Sequence, residues 1–107
     1  MQVSIILPTY NETRNIAKLI EAIGSCVPAP WDYEIIVVDD NSPDGTYTAV
    51  QQAYADDPHV RAILRTADKG LALSIRTGID HAKGQQILVM DTDFTHSPDE
   101  IPRMLHV

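Results

Sequence analysis

Cysteine, tryptophan and phenylalanine each occur once in this 107-residue chain. The lone thiol, Cys26, excludes an internal disulfide and a cysteine-built metal cage, and it fits a reducing compartment. Basic residues are scarce: 8 Lys and Arg stand against 15 Asp and Glu, for a formal net charge of -7. That balance excludes a surface made to follow nucleic-acid phosphates, although a divalent cation would still let an acidic chain hold a nucleotide. No apolar stretch approaches the ~18 residues a membrane span needs. The opening MQVSIILPTYNE has no basic start and Pro8 interrupts its apolar run, so no secretory leader is expected. Repeats, low-complexity tracts and linkers are absent too, which leaves one modest globular domain.

What is present is alternation. Four short runs rich in branched apolar residues have strand length: Val3–Leu7, Tyr33–Val38, Val60–Leu64 and Gln86–Met90. At least three are continuously apolar, the pattern of parallel strands buried on both faces. Between them, Ile16, Leu19, Ile20 and Ile23 form one helical stripe, and Leu71, Leu73, Ile75, Ile79 and Ala82 are compatible with another. TYTAVQQAYA supplies a helix between the second and third runs. In SPDEIPRML, Ser97 as N-cap, Pro98 at the first position and Glu100 completing a capping box predict a fourth helix. Strand and helix alternate throughout, so the expected fold is α/β and doubly wound, a mostly parallel Rossmann-like sheet of strand order 3-2-1-4. Ligands of such sheets bind outside the carboxyl ends of the strands, where the winding reverses.

Three strand ends should line that crevice: LPTYNE, DDNSPDGT and DTDFTH. Together they would bring Glu12, Asp39, Asp40, Asp44, Asp91 and Asp93 to one edge, with Tyr10 as an aromatic wall. So many carboxylates repel one another unless a cation intervenes, and Mg²⁺ or Mn²⁺ is the natural partner for hard oxygen ligands beside substrate phosphates. Plainer roles compete. SPDG is a common turn signal, which makes Asp44 a turn residue, and one of Asp39 and Asp40 has an equal claim to capping nearby amides. Lys69 with Gly70 either meets phosphate or is a solvated loop lysine; His96 either reaches the metal or is a loop histidine. Trp31 and Cys26 read as packing groups near the first crossover.

Aspartates at strand ends occur in several families. IIVVDDNSP and ILVMD look like parts of a phosphate-accepting receiver domain, but there the paired acids follow the first strand and a later lysine is required. DTDFT fits the nucleophile motif of haloacid-dehalogenase-type phosphatases, yet here it follows the fourth strand with little chain behind it. VSIILPTYNE, YEIIVVDDNSPDGT, KGLALSIRTGIDHAKG and ILVMDTDFTHSPDEIP span the whole chain in an order and spacing that resembles the N-terminal part of inverting family 2 glycosyltransferases of GT-A type. Within these the chain is most similar to the polyprenyl-phosphate sugar transferases, the branch that includes the dolichyl-phosphate mannosyltransferases.

The resemblance implies roles residue by residue. Pro8, Tyr10 and Glu12 match the block that holds the base and ribose of the nucleotide; Asp39 and Asp40 match an acidic pair of which one contacts the base. Asp91 and Asp93 match the Asp-x-Asp that holds the divalent ion on the sugar-nucleotide diphosphate, with Thr95 as a further, weaker ligand. The third block departs from the branch's Gly-Leu-Gly-Thr-Ala, reading Gly70-Leu71-Ala72-Leu73-Ser74. The implied donor is GDP-mannose or a UDP-sugar and the implied acceptor a dolichyl or undecaprenyl phosphate, at the cytoplasmic face of a membrane. Residues 1–107 would be the sugar-nucleotide-binding part; the acceptor half, general base and any membrane anchor are expected beyond Val107. A nucleotide-binding module without turnover is the competing reading. Oligomeric state is open, with self-association through an exposed fourth strand as one expectation.

Overall fold

Two of the four apolar runs vanish from solvent. Every residue of Val3–Thr9 (β1) is buried, and so is every residue but the first of Tyr33–Asp39 (β2). These are the two central strands of a four-stranded parallel sheet, flanked by Val60–Leu64 (β3) and Gln86–Val89 (β4) in the order β3-β2-β1-β4. The expected fold class and strand order are those observed. The structure is a computed structural model, and it describes residues 3–27, 32–68 and 70–90. Trp31, Lys69 and everything from Asp91 onward, including the expected fourth helix, lie outside the described residues.

Helix Ile16–Cys26 (α1) buries the four residues of its apolar stripe, Ile16, Leu19, Ile20 and Ile23, against the odd-numbered residues of β1 and β2. Thr46–Ala53 (α2) adds Val50 to the same core. The opposite sheet face, with Ile6, Ile36 and Val38, is covered by Leu71–His81 (α3). That distribution is what right-handed crossovers require when the strand order reverses at β1.

Two details differ from the sequence reading. First, β1 runs through Pro8 to Thr9. A proline is normally excluded from a central strand because it lacks a ladder donor. Here the pairing with β4 ends opposite Ile6, short of Pro8, so the missing N–H forfeits no described rung. Second, α3 does not bury its apolar stripe. Ser74 and Gly78 face the sheet, whereas Leu71 is 60% exposed and Leu73 and Ile79 are exposed too. The helix lies so close that a Cβ at Gly78 would sit 2.5 Å from Cγ2 of Ile6, so only its smallest residues fit the contact.

The amino half of the sheet hides an acid. Glu34 is fully buried opposite Ser4 and accepts hydrogen bonds from the Ser4 hydroxyl, the Lys83 amide and the Arg61 guanidinium. Burial pushes its pKa up, but these three donors outweigh burial and hold it below the ordinary glutamate value. A carboxyl depressed in the folded state adds stability above its unfolded pKa and loses it as pH falls through the folded one. Urea midpoints should therefore decline below about pH 4.3, the unfolded glutamate value. The decline should be shallower in Glu34→Gln; an identical slope in the variant would remove Glu34 from the account.

Candidate functional site

At the carboxyl ends of β1 and β2 the chain turns sharply. Thr9 lies opposite Asp39, and the Asp40 amide donates to the Thr9 carbonyl at 3.2 Å. Just beyond, Asn11 and Asn41 both adopt left-handed backbone, with φ of 57° and 58°. Asparagine tolerates that conformation better than most residues with a side chain.

Between these turns a set of side chains stitches one loop to the other. The Asn11 amide donates to the Ser42 hydroxyl at 2.8 Å, the Glu12 amide to the Thr46 hydroxyl at 3.0 Å, and the Thr13 amide to Asp44 Oδ2 at 3.2 Å. Asp44 Oδ1 accepts from the Thr46 amide at 3.1 Å at the start of α2. It is thus the turn residue expected of SPDG, and it binds the neighbouring loop besides. Burial raises its pKa, but bonds from Thr46 and Thr13 more than compensate and hold it below the usual aspartate value.

Asp39 is sealed from solvent. Its Oδ1 accepts from the hydroxyls of Thr9, at 2.7 Å, and Ser42, and its Oδ2 accepts from the Ser42 amide at 2.9 Å. Asp40 is nearly as buried, and its Oδ1 meets Arg65 Nη1 at 2.9 Å while Oδ2 accepts the Gly70 amide at 2.8 Å. Arg65 also donates to the carbonyls of Ala67 and Asp68, so one guanidinium closes the β3–α3 loop onto the tip of β2.

The carboxylates at this edge are thus met largely from within the protein. Crowded charge called for a cation on the sequence alone; for Asp39, Asp40 and Asp44, hydroxyls, amides and Arg65 do that work. Among the described residues no three acidic, histidine or cysteine side chains converge to hold a metal ion. The ligands expected for it, Asp91, Asp93 and Thr95, lie outside the described residues, as does His96. Met90, the last described residue, directly follows β4 and donates its amide to the Ile6 carbonyl at 3.0 Å.

The remaining expected site residues divide by depth. Pro8 is buried inside β1, Tyr10 is 49% exposed just beyond its end, and Glu12 is half-buried. Thr13, Ser42, Thr46 and Arg65 were not singled out from sequence, although they carry most of the loop geometry. Arg65 had one visible signal, a cation directly after an apolar strand and six residues before the start of α3.

With this geometry in place the family follows. The chain belongs to glycosyl transferase family 2, which it matches over residues 4–107. It is 41% identical over 105 residues to a dolichol-phosphate mannosyltransferase of Pyrococcus furiosus, a match covering 98% of this chain and 29% of that protein. It is 35% identical over 106 residues to an undecaprenyl-phosphate 4-deoxy-4-formamido-L-arabinose transferase of Proteus mirabilis, covering 97% of this chain and 32% of that one. Among solved structures it resembles the mannosyltransferase PcManGT of Pyrobaculum calidifontis in complex with GDP-Man and Mn²⁺. That likeness has a TM-score of 0.74 at 30% identity over 86% of this chain and 27% of that one. The chain therefore spans about a third of the length of the curated relatives it matches.

Proposed function

We propose that this chain is the sugar-nucleotide-binding part of an inverting glycosyltransferase that moves a hexose from a nucleoside-diphosphate sugar to a polyprenyl phosphate. The observation that carries the reading is the pair of hydrogen-bonded loops at the carboxyl ends of β1 and β2, with Tyr10 exposed beside them, in a chain so similar to a dolichol-phosphate mannosyltransferase. In this reading Tyr10 offers the base an aromatic face and Glu12 holds the ribose. One of Asp39 and Asp40 contacts the base; both are buried and met by partners within the chain, Asp39 by Thr9 and Ser42 and Asp40 by Arg65 and the Gly70 amide. Mannose linked to GDP is the preferred donor, on the likeness to PcManGT, and a UDP-sugar is the alternative.

The reaction is a single displacement. An acceptor phosphate oxygen forms the new bond to the anomeric carbon as the bond to the departing nucleoside diphosphate breaks, which inverts that centre. Asp91 and Asp93, with Thr95, would hold a Mg²⁺ or Mn²⁺ ion; when bound, it neutralises charge developing on the leaving diphosphate. The polyprenyl acceptor places the whole enzyme at a membrane, in this proposal at its cytoplasmic face. Among the described residues no helix is long and apolar enough to cross one.

Calorimetric titration with GDP, UDP, GDP-mannose and UDP-glucose, with and without Mn²⁺, tests the reading. Guanine nucleotides should bind in a Mn²⁺-dependent manner, and Asp91→Asn/Asp93→Asn should weaken them by at least about tenfold, or about 1.4 kcal/mol. Binding that ignores both the metal and the double substitution would sink the assignment. A preference for UDP would move the donor without touching the rest. The chain's length relative to its relatives favours a second reading, binding without turnover by this chain alone. Formation of a glycosylated polyprenyl phosphate by the isolated chain would refute that.

A further inference from the structure

β4 is the strand whose register is least determined by its own sequence. It pairs over only four residues, and Ile87 and Val89 remain exposed on the α3 side. Beyond Gln86 it reads Ile-Leu-Val-Met, so a slip of two residues against β1 would keep every side chain on its face, although it would bring Gln86 to the level of Leu88 or Thr92 to that of Met90. The pleat alone does not choose between these registers, and the loss of a few apolar contacts in β4 is not the whole of what fixes them.

The turn between α3 and β4 contributes through its backbone. The Lys83 amide donates to Glu34 Oε2 at 2.7 Å, and the next amide along, that of Gly84, donates to the Ser4 hydroxyl oxygen at 2.8 Å. Ser4 in turn donates to Glu34 Oε2 at 2.6 Å. Arg61 bridges Glu34 Oε1 at 3.0 Å and the His81 carbonyl at 2.6 Å, tying the end of α3 to the same carboxylate. Gly84 is pressed so close that a Cβ there would lie 2.6 Å from the Ser4 backbone nitrogen. A two-residue slip would carry the Lys83 and Gly84 amides about 6.6 Å from their acceptors. It would also strip donors from a fully buried carboxylate, which is costly where no water replaces them.

We infer that the Ser4–Glu34 pair is a register pin for β4, so that Glu34 is a positioning residue for the chain beyond Met90. It sets the level of β4 and Met90 against β1, from the opposite end of the strands to the β1 and β2 loops. The bearing on sugar-nucleotide binding rests on the function proposed above, since Asp91 and Asp93 follow Met90 directly; the register does not.

The test uses the chain without nucleotide or metal, so failure of the functional proposal leaves it intact. Amide exchange and cross-strand nuclear Overhauser contacts are compared in the wild type, Glu34→Gln and Ser4→Ala. The Met90 amide, bonded to Ile6, should exchange at least about tenfold faster in Glu34→Gln, while amides of the β1–β2 ladder change little. The Ile6–Val89 contact should be joined by a shifted pairing. Ser4→Ala, which deletes only a hydroxyl, should show the same selectivity more weakly, and it decides the matter if Glu34→Gln does not fold. Exchange that rises equally across β1, β2 and β4, with one unshifted set of contacts, would reduce Glu34 to an ordinary stabilising group and overturn the inference.

Discussion

Replacing Asp39 with alanine is expected to cost about 3 kcal/mol of folding stability, since the change strands several buried donors at once. The Thr9 and Ser42 hydroxyls and the Ser42 amide all end on this carboxylate, in a place that water does not reach. Asp39→Asn keeps the shape but turns one acceptor oxygen into a donor facing donors, so it should lose most of the same amount. Thr9→Val or Ser42→Ala removes one partner and leaves the acid with others, for about 1 kcal/mol each. Urea midpoints read all four variants. A loss below about 1 kcal/mol in Asp39→Ala would mean that solvent enters the turn and that the stitching is weaker than its distances imply.

The second large effect comes from a hydrogen atom. Gly78→Ala should gain about 1 kcal/mol in helix propensity and still lower stability by a net 1–2 kcal/mol or so, because overpacking exceeds that gain. The added methyl would meet Cγ2 of Ile6, a fully buried side chain with no room to retreat. Thermal unfolding should show the loss, and Ile6→Ala in a double-mutant cycle should recover part of it. Gly24 is the control: a Cβ there meets only the hydroxyl end of Tyr33 at 3.1 Å, so alanine should be tolerated or favoured. If both glycines accept alanine equally, α3 does not sit as close to the sheet as described.

The same glycine shows where the sequence ceased to be legible. Apolar periodicity located α1 and its buried face to the residue, because Ile16, Leu19, Ile20 and Ile23 fill the space they face. Periodicity failed for α3, where the close approach is made by Ser74 and Gly78 and the large residues turn outward. A hydrophobic stripe reports burial only when the interface is wide enough to hold it. Strand order was legible because buried runs, crossover handedness and length leave few topologies. The acidic edge was legible in position but not in chemistry. Two adjacent aspartates can be read from the chain; that one meets Thr9 and Ser42 while the other meets Arg65 and Gly70 depends on contacts up to 30 residues away. Glu34 stayed hidden for a related reason. A single acid beside a strand of isoleucines reads as a solvated strand start, and its partner turn at Lys83 lies 49 residues downstream.

The strand order also imposes a sequence of events on a chain emerging from the ribosome. β1, the first strand made, is central, and its neighbour β2 follows soon after with β3 and two helices behind it. Its other neighbour is β4, whose first anchor, Gly84 to Ser4, closes over 80 residues. Until that length has been synthesised, one side of β1, a largely apolar strand, presents an unpaired row of amides and carbonyls. Nascent chains that stall in α3 should therefore be the ones that aggregate or engage chaperones, and release of that hazard should coincide with the appearance of residues 84–90.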